Sequence, residues 1–330
     1  MGASIEWDAR DHQSRLDMTM RLALVGCGNA DVYLTVPLRM PDVEFVAAVD
    51  TDPKTAKAAA ALGATITAPT VEELLAKKGG AFDAVVIHGY GGGAARSAIA
   101  AAAAGKHVLA PSAMAQSAGE ARLVVEACAT AGVALMAGSA KRFDPCGAVV
   151  KNSIPKLGDP GLLRIHAWGS GGATTEDLLL RQAIDSLDLA TWIFGSRPSE
   201  IYATGSPGYA QIHMGFNGGG MALIDHTCTL PEGGSYYSLS LIGSTGAAYA
   251  DDHRNRELLF TGGAPRAVET TQGDFAYIEQ LREFIMAVKE KRSPAATGED
   301  GVIALEVAEG AANSLAARAP LHWKGGAYAT

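Results

Sequence analysis

Between residues 21 and 136 the chain repeats one unit: a short apolar run without polar alternation, then a stretch carrying helix signals. The runs cover residues 21–25, 43–49, 84–87, 107–109 and 134–136. Helices are predicted after the first run toward residue 39, and over residues 54–62, 94–104 and 118–131. Asp52 before Pro53 is an N-cap followed by proline at the first helical position. Thr70-Val71-Glu72-Glu73 opens a further helix as a capping box. Strands that are apolar on both sides must be covered on both sides, and strands each separated by a helix run parallel. The pattern therefore predicts an α/β fold whose first part is a doubly covered parallel sheet.

After residue 142 the texture changes. Alternating segments occupy residues 163–168, 201–204, 210–216, 221–229, 236–241, 247–250 and 258–260, with glycine-rich turns between many of them. Alternation means one buried and one exposed face, so a mostly antiparallel sheet is expected. Long amphipathic helices are predicted over residues 176–194, 275–291 and 302–317, within this part or packed back on the first. The expected organisation is a flexible extension over residues 1–19, a nucleotide-binding domain over 20–142, and a substrate-binding and oligomerisation domain over 143–330. No internal repeat or long linker separates the two domains.

Composition narrows the function. With 330 residues, 48% hydrophobic and 19% charged, the chain is expected to be globular. A net charge of -8 argues against nucleic-acid binding, which needs a basic patch. Cys27, Cys128, Cys146 and Cys228 are scattered, without metal-ligand spacing, so reduced thiols in the cytoplasm are expected, with no metal site. No apolar run approaches the ~20 residues that span a bilayer. The first 20 residues lack a signal-peptide pattern, and Glu6 stands where an acylation motif needs Ser or Thr.

Gly26-Cys27-Gly28-Asn29-Ala30 leaves the first strand and opens a helix. Gly26 permits a tight turn, Gly28 allows close backbone approach to a pyrophosphate, and the helix start offers N–H groups to phosphates. Asp50, followed by Thr51, ends the second strand, where a carboxylate receives a ribose diol. The carboxylate predicts NAD over NADP, because a 2′-phosphate would meet like charge. Asp31, where a third glycine usually stands, must point away from the phosphates. The plain alternative is an ordinary strand–helix turn with Asp50 capping a loop.

On these residues the chain resembles the glucose–fructose oxidoreductase / inositol dehydrogenase (Gfo/Idh/MocA) family. The resemblance extends through Ala104-Gly105-Lys106-His107-Val108-Leu109, Arg142-Phe143-Asp144-Pro145, Leu187-Asp188-Leu189-Ala190-Thr191-Trp192-Ile193-Phe194-Gly195 and Glu299-Asp300-Gly301. It implies an N-terminal Rossmann domain and a C-terminal α/β domain whose large open sheet packs on the cofactor and builds homodimers or homotetramers. It also implies that His88, Gly89, Pro111 and Ser112 approach the cofactor. The family's Thr-Pro falls on Gly89-Tyr90. Its catalytic lysine falls on Ser112, and its paired Asp and His fall on Arg181 and Asp185, while Asp188 is retained.

That substitution pattern rewrites the proton-transfer chemistry. Oxidising an alcohol needs a base for the hydroxyl proton as hydride leaves. Ser112 cannot serve and Arg181 stays charged. Asp185 serves if burial or a like charge raises its pKa, with Asp188 one turn away as that charge. The plain alternative is an Arg181–Asp185 ion pair on one helix face. Otherwise Arg181 binds an anionic substrate group by a bidentate fork, helped by Lys141 and Arg142. His88 and Tyr90 leave the carboxyl end of a strand, where ligands bind in such sheets, so either is a candidate proton carrier. His166, His213 and His226 read as structural strand residues, with His226 beside Asp225 the most notable. The leading expectation is an NAD-dependent oxidoreductase of a small polyol, sugar, sugar acid or related carbonyl compound. The alternatives are a non-catalytic dinucleotide or sugar sensor, and an NAD-assisted lyase or glycosidase.

Overall fold

The computed structural model describes residues 19–27, 39–61, 63–89, 92–172, 174, 178–232, 234–251, 256–260, 266–269 and 275–330. The predicted N-terminal extension and the helix after the first strand lie outside the described residues.

The first sheet forms as the apolar runs predict. Its strands are β1 (Met20–Val25), β2 (Val43–Val49), β3 (Ile66–Ala68), β4 (Ala84–Ile87), β5 (His107–Ala110) and β6 (Leu135–Ala137). Among the described residues they lie in the order β3-β2-β1-β4-β5-β6, and every pair is parallel. The intervening helices are α1 (Pro53–Ala60), α2 (Val71–Lys78), α3 (Gly92–Ala103) and α4 (Ala118–Ala131). Asp52 accepts from the Lys54 and Thr55 amides at 3.2 Å each, and Thr70 from that of Glu73. These caps satisfy helix-start N–H groups that have no intrahelical acceptor.

The second part contains α5 (Pro145–Leu157), β7 (Pro160–Trp168), α6 (Ile184–Phe194), β8 (Glu200–Ser206), β9 (Tyr209–Gly215), β10 (Met221–Thr227), β11 (Tyr236–Gly243), β12 (Ala247–Asp251), β13 (Arg256–Phe260) and β14 (Arg266–Glu269). It ends with α7 (Phe275–Glu290), α8 (Gly298–Ala317), β15 (Leu321–Trp323) and β16 (Tyr328–Ala329). Its sheet runs β14-β13-β12-β11-β7-β10-β9-β8-β15-β16 among the described residues. All of its described pairings are antiparallel except β7 with β10.

The two parts share their cores. Leu22, Leu24 and Val86 on one face of the first sheet pack with Leu281, Phe284 and Ile285 of α7. Alternate residues such as Ala23, Val85 and Val108 join the core built with α8 and the inner face of the second sheet. α8 begins earlier than its apolar periodicity suggests, because Thr297 and Asp300 form a reciprocal capping box.

One predicted helix is interrupted. Residues 178–182 form a π turn, closed by the Ala183 amide on the Leu178 carbonyl at 2.8 Å, and α6 starts only at Ile184. A π turn inserts an extra residue and rotates the chain before it relative to the helix after it. Phe194, the last residue of α6, stacks on Phe216 at 4.1 Å. A Cβ on Gly220, just before β10, would strike the Phe194 ring. The start of α6 therefore lies over the other end of β7 and β10.

Candidate active site

Two clusters occupy the carboxyl edge of the first sheet. The first is the turn after β1. Gly26 has φ +83°, and a Cβ there would lie 2.0 Å from the His88 carbonyl oxygen, so the position demands glycine. Asp50 braces the turn: its Oδ2 accepts from the Cys27 amide at 2.8 Å and its Oδ1 from the Asp52 amide at 2.9 Å. A cavity of about 500 Å³ opens beside it, lined by residues that include Gly26, Asp50, Thr51, His88, Gly89 and Arg96. Burial, reinforced by Asp50, pushes the Cys27 thiol up to about 11, so it remains protonated. Gly28, Asn29, Ala30 and Tyr90 lie outside the described residues. Arg96, on α3, is a lining residue that sequence reasoning missed; it lies 46 positions beyond Asp50 and has no motif around it.

The second cluster lies at the ends of β5 and β6. Pro111 and Ser112 follow β5, and Ser112 is 1% exposed. Its hydroxyl donates to Asp185 Oδ1 at 3.0 Å. Asp185 stands in the first turn of α6, and burial pushes its carboxyl above the usual range against the opposing pulls of Ser112, Lys141 and Ser139. Lys141 lies in a single 3-10 turn after β6, with its ammonium 3.9 Å from the centre of the Tyr237 ring. Ser112, Asp185, Ser139, Lys141 and Tyr237 thus form one continuous polar cluster. Ser139 and Tyr237 were missed in sequence, although Ser139 follows a parallel strand, where sites are expected.

Three expectations need correction. Arg142, read as a substrate binder, is 4% exposed. It gives Asp188 two hydrogen bonds, at 2.7 and 2.5 Å, and reaches Asp300 at 3.3 Å. Burial opposes its charge, but Asp188 and Asp300 outweigh that and hold the guanidinium above its ordinary value. It is an internal brace. Asp188, which also accepts from the Ser139 amide at 3.1 Å, is consumed by that brace. Arg181 is exposed on the π turn, while the groups acting on Asp185 are Ser112, Lys141 and Ser139. The ion pair expected from continuous helical spacing loses its geometric basis, because the helix is not continuous there. Asp225 and His226 point to opposite faces of β10: Asp225 meets His166 at 3.1 Å and Gln211 at 2.8 Å on the outer face.

Among the described residues no helix is long and apolar enough to cross a membrane, and no group of three His, Cys, Asp or Glu could hold a metal ion.

The geometry agrees with comparison to known proteins. Residues 20–139 match the model of an oxidoreductase family with an NAD-binding Rossmann fold, and residues 164–322 match that family's C-terminal α/β domain. The chain belongs to the Gfo/Idh/MocA oxidoreductase family. Among its relatives, the uncharacterized oxidoreductase YrbE of Bacillus subtilis is 28% identical over 67% of this chain and 72% of its own length. Myo-inositol 2-dehydrogenase of Thermotoga maritima is 27% identical over 66% and 72%. Among solved structures, an Agrobacterium radiobacter oxidoreductase in complex with NAD+, L-tartaric acid and magnesium superposes with a TM-score of 0.82 at 17% identity, covering 92% of this chain and 98% of that one.

Proposed function

We propose that the protein is an NAD-dependent oxidoreductase of a small polyol, sugar, sugar acid or related carbonyl compound, in which Asp185 accepts the hydroxyl proton. The observation that carries this reading is the Ser112–Asp185 hydrogen bond beside Lys141, in the cluster where an alcohol would meet the cofactor. Gly26, Asp50 and the cavity next to them fit a dinucleotide. Gly26 and Gly28, with Asn29 and Ala30, would lie along its phosphates, and Asp50 and Thr51 would receive the adenosine ribose. Asp50 supports NAD over NADP. The relatives' names support the substrate class, since one is a myo-inositol 2-dehydrogenase.

The nicotinamide supplies an acceptor for hydride. The chain supplies the rest. A carboxyl raised by burial is a stronger base than a solvated one. Ser112 holds Oδ1 of Asp185 and so orients the carboxylate that would meet the substrate hydroxyl. Lys141 offsets the charge of the alkoxide as it forms and suits a substrate that carries a carboxylate. Asp185 would take the O–H proton, while a bound nicotinamide would take the C–H electron pair as hydride.

The test is a screen for NADH formation across cyclitols, aldoses and sugar acids, using wild type and Asp185→Asn. The reading expects turnover in wild type and a fall of about 10²–10⁴ in kcat in the variant. NAD binding without any turnover would favour the sensor. Product formation from catalytic NAD, without net NADH, would favour the lyase or glycosidase. Exposed Trp168, Tyr209, Met221, Ile242 and Tyr249 lie on the outer face of the second sheet. They support pairing of that face with a second copy, which light scattering would detect.

A further inference from the structure

We propose that His226 is a substrate-recognition residue whose imidazole hydrogen-bonds a hydroxyl group of the ligand on the floor of the Asp185 pocket. This inference rests on the function proposed above, and the experiment below separates the two.

Strand register supplies the placement. His226 stands opposite Ala167 on β7 and Ala210 on β9. The same side of β10 carries Ala222 and Ile224, both buried in the shared core, so His226 faces inward. Tyr237 on β11 also stands opposite Ala167. His226 and Tyr237 are therefore two strands apart, about 10 Å, with Ala167 on the strand between them. Lys141 covers the Tyr237 ring, and Lys141 acts on Asp185. Because α6 runs with Phe194 toward the start of β10, its first turn, bearing Asp185, lies over the end of β10 that carries His226. Tyr237 and His226 thus share the inner face of the sheet, with Lys141 over the first and the helix turn that bears Asp185 above the second.

The chemistry of the ring points to the ligand. Both imidazole nitrogens of His226 are buried and lack a hydrogen-bond partner. Leaving such groups unsatisfied destabilises the fold, a cost a bound ligand removes. Burial pushes the ring down to about 4, so it is neutral near pH 7. A neutral imidazole offers one donor and one acceptor, which matches a hydroxyl better than a carboxylate. The geometry therefore selects a polyol or sugar hydroxyl at this end of the pocket.

The test uses full-length protein with bound NAD and ¹⁵N-labelled histidine, with myo-inositol and D-glucose as probes. The His226 ring signals are those missing from His226→Asn. Movement of these signals on titration supports the proposal. So does a loss of about tenfold in probe affinity in His226→Phe, with partial recovery in His226→Asn, which keeps a donor and an acceptor. NAD affinity and thermal midpoint report whether each variant is folded. If a probe shifts other pocket signals while the His226 ring stays still, or if neither probe binds, the proposal is wrong. Binding with a responsive His226 ring but no hydride transfer overturns only the oxidoreductase reading. Hydride transfer that His226→Phe leaves unchanged overturns only the inference.

Discussion

The carboxyl edge of the first sheet carries two clusters built by different means. At β1 and β2 the chain works through backbone: Gly26 has a conformation and a clearance that exclude any side chain, and Asp50 holds two amides of the turn. At β5 and β6 it works through side chains that meet across long stretches of sequence, as Ser112 meets Asp185 over 73 positions. A backbone solution admits few substitutions. A side-chain solution can be rewritten if each new group finds a partner, as Ser112 and Asp185 find each other.

The largest effect expected in the second cluster is on catalysis. Asp185→Asn should lower kcat by about 10²–10⁴ while NAD affinity stays unchanged. The same substitution should alter stability in a defined direction. Burial raises the Asp185 carboxyl above the ordinary carboxylate value. Protonated Asp185 is thus the form that folding favours, and its contribution is complete below the unfolded pKa and lost as pH rises through the folded one. Asparagine should therefore stabilise the protein at neutral pH, with an advantage that disappears in acid below about 4. Turnover in wild type should fall as pH drops through the raised pKa. Denaturant melts and pH–rate profiles of both proteins check this, and an unchanged kcat would remove Asp185 from the reaction.

Next comes the brace beneath that cluster. Arg142→Met leaves Asp188 buried without its counter-ion, which should cost about 3–5 kcal/mol. Arg142→Met with Asp188→Leu should recover most of the loss, because an apolar pair can replace a buried ion pair. Should the single variant melt normally yet bind substrate poorly, Arg142 would be a binder and the contrast between the two clusters would shrink. On the backbone side, Gly26→Ala should cost about 3 kcal/mol through its φ of +83° and its collision with the His88 carbonyl. A variant that melts like wild type and binds NAD unchanged would show that the turn can give.

Legibility in the sequence follows the same divide. The apolar strands, the Asp52 and Thr70 caps, Gly26 and Asp50 answer local backbone demands, and local demands leave local patterns. The positions of Ser112 and Asp185 were readable by register, but their contact was not, since nothing in either segment encodes the other. The Arg181–Asp185 spacing reads as one helical turn because Leu178-Leu179-Leu180 keeps an apolar pattern straight through the π turn. Arg142 reads as a ligand binder because a basic residue after a parallel strand looks alike whether it faces solvent or a buried aspartate. Asp225 and His226 could have been separated by strand parity alone, which sends neighbours to opposite faces.

The smallest expected effect tests the backbone cluster at its one side-chain decision. Asp50 braces the turn and, in the proposed function, receives the adenosine ribose, where its charge would repel a 2′-phosphate. Arg96 lines the same cavity from α3 and carries the charge that a 2′-phosphate needs. The preference for NAD read from sequence rests on the carboxylate alone and so weighs only one of two opposing charges. Asp50 is next to the turn and holds it through two hydrogen bonds, whereas Arg96 is exposed at the cavity wall. A fixed charge beside the ribose outweighs a solvated one across the cavity, because solvent screens the latter. Wild type should therefore bind NAD about tenfold more tightly than NADP, a difference near ~1.4 kcal/mol. Asp50→Ser should erase that margin, and Asp50→Ser with Arg96→Ala should weaken NADP again. If wild type binds NADP at least as well as NAD by calorimetry, Arg96 dominates, and even the backbone-built cluster has a specificity set by a residue far away in sequence.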